Sequence, residues 1–159
     1  MRLAIHHFKY RQKAHLAKLF AKLLIAFLKE NAYIIEDVQG IVPVPLSRAR
    51  FRERGYNQSE LLAGPIAKEF ALPIFDVLKK NRSTPTQSGL GREARARNIK
   101  SAFALRDRNV LTGKKILIID DVFTTGSTID ECSRVLLGAG AREVLSLTLA
   151  RGESLSESR

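Results

Sequence analysis

A chain of 159 residues that is 45% apolar can bury one sizeable core and fits a single domain. No apolar run approaches the roughly 18 residues needed to span a bilayer, and Cys132 is the sole cysteine, which excludes an internal disulfide and a cysteine-based zinc site. The net charge of +11 is uneven: residues 1–60 carry 11 Lys/Arg against 5 acids, 61–110 carry 10 against 4, and 111–159 carry 6 against 7. A basic first two-thirds beside a neutral last third suits a polyanionic ligand, whether a small phosphorylated molecule or nucleic acid. The N-terminus has no apolar h-region with a small-residue cleavage site, so the expected location is cytoplasmic with no membrane insertion. His6, His7 and His15 have no Cys or acidic partners at metal-ligand spacing.

The segment from Gln12 to Glu30 places apolar residues at 16, 19, 20, 23, 24, 27 and 28, the stripe of an amphipathic helix. Lys18, Lys22 and Lys29 read as its solvated face. Gly40 to Pro45 reads as a short strand that must stop at its prolines or lie at an edge. The arginines at 48, 50, 52 and 54 follow that turn, and guanidinium forks suit phosphate oxygens. One or two of the four are expected to face a site, with the others solvated. A helix begins at Asn57 or Ser59 and runs to about Phe70, with Pro65 expected to kink it or split off its first turn. Asn57 and Gln58 are equally open to a capping role and a ligand role. Leu72 to Leu78 is a weaker strand candidate. Lys79 to Lys100 is polar, basic and long enough for a mobile functional loop. Thr112-Gly113 turns into a strand from Lys115, and the helix from Ser127 should end at Gly138 or Gly140. Glu143 to Ala150 completes a βαβ unit. The expected domain spans 1–151, with 152–159 a frayed tail.

The stretch KILIIDDVFTTGSTI, residues 115–129, carries the chemistry. Ile116, Leu117, Ile118 and Ile119 form a continuous apolar run, the pattern of a strand buried on both faces of a parallel sheet. The run ends at Asp120 and Asp121, and a small-residue loop then opens a helix. Ligands in open α/β folds bind at the carboxyl ends of such strands. Hydroxyls, a glycine and free N–H groups at that place suit a phosphate, while two carboxylates can accept hydrogen bonds from sugar hydroxyls. Phosphate plus vicinal diol means a ribose phosphate. A Walker B strand would need a G-x-x-x-x-G-K-[ST] partner, and the chain has none. A mere helix cap needs one Ser, Thr, Asp or Asn, whereas this corner holds two acids, four hydroxyls and a glycine.

That string resembles the phosphoribosyl diphosphate (PRPP) signature of type I phosphoribosyltransferases. VPVPLSRARFRERGYNQSELLA (42–63), the spaced set Gln87, Leu90, Arg95, Asn98, Ala102 and Phe103, and Phe8-Lys9-Tyr10-Arg11 all resemble the ComF family of phosphoribosyltransferase-like proteins, which is linked to competence and the handling of incoming DNA. Many members also carry an N-terminal cysteine zinc-binding element, and this chain starts just beyond its place.

The resemblance implies an α/β, type I phosphoribosyltransferase-like fold: a central, mostly parallel sheet flanked by helices, with a flexible lid loop. It implies that Asp120 and Asp121 are the catalytic pair on the ribose hydroxyls. Val122, Thr124, Thr125, Gly126, Ser127 and Thr128 would bind the 5′-phosphate. Val44, Pro45, Leu46, Arg48 and Arg54 would hold the pyrophosphate leaving group, and Gln87, Arg95 and Asn98 would lie in the lid. Mg²⁺ would come with PRPP, with no direct protein ligands. The chemistry would be loss of pyrophosphate from ribose C1 through an oxocarbenium-like transition state, with no protein nucleophile. Three functions follow: a PRPP-dependent transferase, a single-stranded-DNA-handling protein working with DNA-uptake proteins, and, last, a PRPP-sensing regulator.

Overall fold

The computed structural model describes residues 16–81, 99, 101–106 and 110–152. Helix α1 spans Leu16–Glu30 and is followed by a single 3₁₀ turn at Ala32–Ile34. Strand β1 (Val38–Pro43) leads into a short helix α2 (Arg48–Arg54) and then α3 (Gln58–Glu69). An antiparallel pair, β2 (Leu78–Lys80) and β3 (Phe103–Leu105), comes next. The C-terminal unit is β4 (Lys115–Phe123), α4 (Ser127–Leu137) and β5 (Glu143–Arg151).

β4 is the middle strand of a three-stranded parallel sheet, ordered β1-β4-β5. Its position explains its composition. Ile116, Leu117, Ile118 and Ile119 are all fully buried, but they serve two cores. Leu117 and Ile119 join Ile41 and Leu147 in packing against α1 and α3. Ile116 and Ile118 join Val42 on the other face, against Ile129, Cys132 and Leu136 of α4 and against Leu78 and Phe103 of the hairpin. A strand covered on both faces has no position for a polar residue, so its alternation is between cores rather than between core and water. The fold is α/β, a parallel sheet flanked by helices. No helix among the described residues is long and apolar enough to cross a membrane.

Four expectations need correction. The buried face of α1 is Ala17, Phe20, Ala21, Leu24 and Leu28, while Leu19, Leu23 and Phe27 are exposed. Small alanines let α1 lie close to Ala63 and Ala67 of α3, and that approach rotates three large residues outward. Pro65 does not split α3, which is continuous over Gln58–Glu69. Leu72 to Leu78 is not a continuous strand: only Leu78 belongs to one, as the start of β2, and Ile74 makes one isolated bridge to Ile41, with Ile41 N–H donating to the Pro73 carbonyl and Phe75 N–H to the Ile41 carbonyl. Pro73 can offer only its carbonyl there. The ring of Phe75 covers Gly40 so closely that a Cβ at 40 would sit 2.2 Å from it. Finally, β4 runs on through the acids to Phe123, with Asp120 opposite Thr148 and Val122 opposite Ala150.

Helix α4 ends at Leu137 with Gly138, the first of its two candidate glycines, as C-cap, whereas the left-handed residue expected there is the second. Gly138 keeps a right-handed φ of −63°, and Gly140 takes the left-handed value of 96°. Gly140 abuts Thr112, and its carbonyl accepts from Gly113 N–H at 2.8 Å.

Candidate functional site

Three segments converge at the carboxyl ends of β1 and β4. The first is the turn after β1. Val44 N–H donates to the Ile119 carbonyl at 3.0 Å, which holds the turn against the last residue before the acid pair. Pro45 and Leu46 follow, and the Ser47 side chain accepts from Arg50 N–H at 3.4 Å as the N-cap of α2. Gly55, with φ 82°, closes that helix.

The arginine run is therefore helical, which divides it. Residues four apart share a helix face. Arg48 and Arg52 are exposed and line clefts; Arg50 and Arg54 are half-buried on the other side. Arg54 is held below the usual arginine range by burial and then by Arg50, with Asp121, Glu53 and Tyr56 acting in the opposite sense. Arg48 and Arg54 thus lie on different faces, Arg48 toward the clefts and Arg54 within electrostatic reach of Asp121.

The second segment is the start of α3. Asn57 caps it, its Oδ1 accepting from Ser59 N–H at 3.1 Å. Its Nδ2 donates to the Val44 carbonyl and to Glu60 Oε1, each at 3.0 Å. The capping alternative for Asn57 is the one the geometry realises. Gln58 is 1% exposed, and its Nε2 has no partner among the described residues.

The third segment is β4 and the loop beyond it. Asp120 Oδ1 accepts from Ser59 Oγ at 3.1 Å and from Asp121 N–H at 2.9 Å. Val122 and Thr124 pack against Gly152, whose N–H donates to the Phe123 carbonyl at 2.7 Å. Gly126 takes φ 82° and is the N-cap of α4, a residue with no side chain of its own to cap the helix. The Thr125 and Ser127 hydroxyls lie 2.9 Å apart, and Thr128 follows on the first turn of α4. The cap glycine cannot supply a side-chain acceptor, so the first N–H groups of α4 keep the donor capacity that makes a helix start attractive to anions. A Cβ at Gly126 would stand 3.0 Å from Phe123 Cζ.

The turn after β1, the start of α2 and the β2–β3 hairpin enclose a cleft of about 620 Å³, lined by Leu46, Ser47, Arg48, Ala49, Lys79, Lys80, Asn81 and Arg106. Among the described residues its lining holds four cations and no acid, with Arg106 paired to Asp76 at 2.8 Å. A second cleft of about 360 Å³ shares Leu46, Arg48 and Arg106 and adds Pro45, Phe51, Arg52, Asn57 and Glu60. Lys80 joins the cleft to the acids. Burial and then Arg50 lower its pKa, while Cys132 and Asp120 act to raise it; its ammonium stands 5.1 Å from the Phe103 ring centre. A cation that burial destabilises gains more from an anionic ligand than a solvated one does. Cys132 is no nucleophile: burial, with Asp120 adding to it, pushes its thiol far above the ordinary range.

Lys79, Lys80, Asn81 and Arg106 were not among the sequence-derived site residues. The signal was the Lys-Lys pair at the start of the basic 79–100 stretch, which is strand rather than loop over its first two residues. Arg106 lies 26 residues beyond Lys80 in the chain and is brought back by the β2–β3 pairing. Gln87, Arg95 and Asn98 lie outside the described residues, as does Phe8-Lys9-Tyr10-Arg11.

Comparison with known proteins gives a consistent picture. Residues 57–158 match the family described as phosphoribosyl transferase domain. The chain is 32% identical over 153 residues to competence protein F of Haemophilus influenzae, covering 94% of this chain and 67% of that protein. It is 33% identical over 150 residues to the DNA utilization protein YhgH of Escherichia coli K12, covering 92% and 65%. The chain thus spans about two thirds of the length of these relatives. A solved adenine phosphoribosyltransferase from Saccharomyces cerevisiae aligns with a TM-score of 0.54 at 18% identity, over 85% of this chain and 69% of that one. That likeness shows the fold.

Proposed function

This chain belongs to the phosphoribosyl transferase domain family, in the group of competence protein F and YhgH, and we propose that it binds PRPP or a ribose phosphate where β4 meets α4. One observation carries the reading. α4 opens at a left-handed glycine with no side-chain cap, flanked by hydroxyls at 124, 125, 127 and 128, and two carboxylates stand a few residues before it. A corner built only to start a helix would use one of those side chains as its cap.

In this reading Thr124 to Thr128 hold the 5′-phosphate, and Asp120 and Asp121 hold the ribose hydroxyls. The pyrophosphate lies toward Ser47, Arg48, Lys80 and Arg106 in the larger cleft. The C1–O bond to pyrophosphate breaks, its electron pair leaves with the pyrophosphate, and C1 bonds to a nitrogen acceptor or to water. The residues present position the sugar and neutralise the leaving group. No group of three or more His, Cys, Asp or Glu among the described residues could hold a metal by itself. Mg²⁺ would therefore arrive on the phosphates of PRPP, with Asp120 and Asp121 left to the ribose hydroxyls rather than serving as its ligands. When bound it would add positive charge to the departing pyrophosphate. The proposed setting is cytoplasmic.

A second reading, single-stranded-DNA handling alongside DNA-uptake proteins, is favoured by the smaller cleft. There Phe51, 47% exposed, lies among Arg48, Arg52 and Arg106, the combination that stacks bases and tracks phosphates. The two readings separate in one experiment. Purified protein with PRPP and Mg²⁺ should release pyrophosphate on adding one of a panel of nucleobases, or slowly to water. Arg48→Ala with Arg52→Ala should weaken single-stranded-DNA binding and lower its salt slope by roughly 0.7 for each phosphate that is no longer neutralised. DNA binding that depends on both arginines, with no pyrophosphate release under any condition, would favour the second reading.

A further inference from the structure

The first turn of α3 grips both halves of the site. Asn57 Nδ2 donates to the Val44 carbonyl at 3.0 Å, on the turn after β1. Two residues on, Ser59 Oγ donates to Asp120 Oδ1 at 3.1 Å, across a sequence separation of 61. Both residues are 3% exposed. A serine in a first helical turn ordinarily turns its hydroxyl to the local backbone. Here Asn57 already serves the backbone, accepting from Ser59 N–H, so the Ser59 hydroxyl is spent on a distant carboxylate.

The consequence for Asp120 is rotational. Its Oδ1 takes two hydrogen bonds, one from Ser59 Oγ and one from Asp121 N–H at 2.9 Å. Turning the carboxylate about its Cβ–Cγ bond would break both. One donor is local, the N–H of the next residue on β4, and the other comes from α3 across the fold, so the Ser59 bond is the one that ties the plane of the carboxylate to tertiary structure. A carboxylate held in one plane offers a hydroxyl one geometry. A freely turning carboxylate adapts to whatever faces it, including water in place of a missing hydroxyl.

We propose that Ser59 is a positioning residue that locks the Asp120 carboxylate toward a sugar hydroxyl, and so makes the site select ribose over deoxyribose phosphates. The proposal rests on the ribose-phosphate reading above. It assigns Ser59 no contact with the ligand: its effect passes through Asp120.

The test is calorimetric titration of the full chain with ribose 5-phosphate, 2-deoxyribose 5-phosphate, 3-deoxyribose 5-phosphate and inorganic phosphate. The wild type should prefer ribose 5-phosphate to at least one deoxy analogue by about tenfold or more, the value of a hydrogen bond to a charged group. Ser59→Ala should reduce that preference to within about threefold and leave the affinity for inorganic phosphate unchanged. Ser59→Thr, which keeps the hydroxyl, should restore it. If Ser59→Ala does not fold, Ser59→Cys, similar in shape but a weak donor, carries the same comparison. A variant that keeps the full preference overturns the proposal. So does one that loses phosphate and ribose 5-phosphate affinity in equal proportion, because that is the mark of general damage. A wild type that binds ribose 5-phosphate without discriminating refutes the proposal alone; one that does not bind it at all refutes the reading beneath.

Discussion

Asp120→Asn together with Asp121→Asn should abolish binding of ribose 5-phosphate and PRPP while leaving a folded protein. A hydrogen bond from a sugar hydroxyl to a carboxylate contributes about 1.5–3 kcal/mol, and each 1.4 kcal/mol is about tenfold in affinity. Losing two charged acceptors should therefore cost roughly a hundredfold to ten-thousandfold. The fold should survive because the amides keep the shape. Asn at 120 still carries an oxygen able to accept from Ser59 Oγ and from the 121 N–H, as Asp120 Oδ1 does. Neither acid is fully buried, unlike the four residues that precede them. The nearby cations set the direction of a second effect. With the acids neutralised, Lys80 and Arg54 each lose a favourable charge, so inorganic pyrophosphate should bind no worse and can bind better. Titration with both ligands separates the two effects, and equal loss for sugar and pyrophosphate would contradict the assignment.

Gly126→Val should remove binding of inorganic phosphate and ribose 5-phosphate alike. Gly126 holds φ 82°, where a β-branched side chain costs on the order of 1–3 kcal/mol. A Cβ there also meets Phe123 Cζ at 3.0 Å and Asp130 Oδ2 at 3.5 Å. The backbone would have to leave the left-handed region, and the N–H groups that open α4 would turn with it. The expected result is at least a tenfold loss of phosphate affinity with a melting temperature lowered by several degrees. Gly126→Ala, strained but unbranched, should fall between. Wild-type phosphate affinity in the valine variant would show that this loop does not cradle the anion.

What could be read from the chain, and what could not, divides by distance in sequence. The β4 run, the acid pair and the loop to Thr128 are contiguous, so a strand, its carboxylates and a helix start could be recognised without knowing what packs against them. The same holds for Asn57, whose cap is a local bond to Ser59 N–H. The cationic cleft is different. Lys80 and Arg106 reach it from two strands joined by antiparallel pairing, and neither residue has a distinctive neighbour. The hydroxyl of Ser59 finds Asp120 only once α3 has docked on the sheet. Helix α1 was recognisable by period, yet its buried edge was not, because two alanines govern how near α3 can come while three larger residues point away. The arginines at 48, 50, 52 and 54 looked like a single run. A seven-residue helix sorts them into an exposed, cleft-lining pair, Arg48 and Arg52, and a half-buried pair, Arg50 and Arg54.

Thermal unfolding with and without PRPP and Mg²⁺ bears on the ribose-phosphate assignment with the fewest intervening assumptions. A ligand bound only by the folded protein stabilises it by about 2.7 kcal/mol at a hundredfold excess over its dissociation constant. For a domain of this size that is a rise of several degrees in melting temperature. The wild type should show the rise, and the Asp120→Asn, Asp121→Asn protein should melt at one temperature whether or not PRPP is present. An unchanged wild-type melting temperature at millimolar PRPP, or an equal rise in the doubly substituted protein, would contradict the assignment of this site.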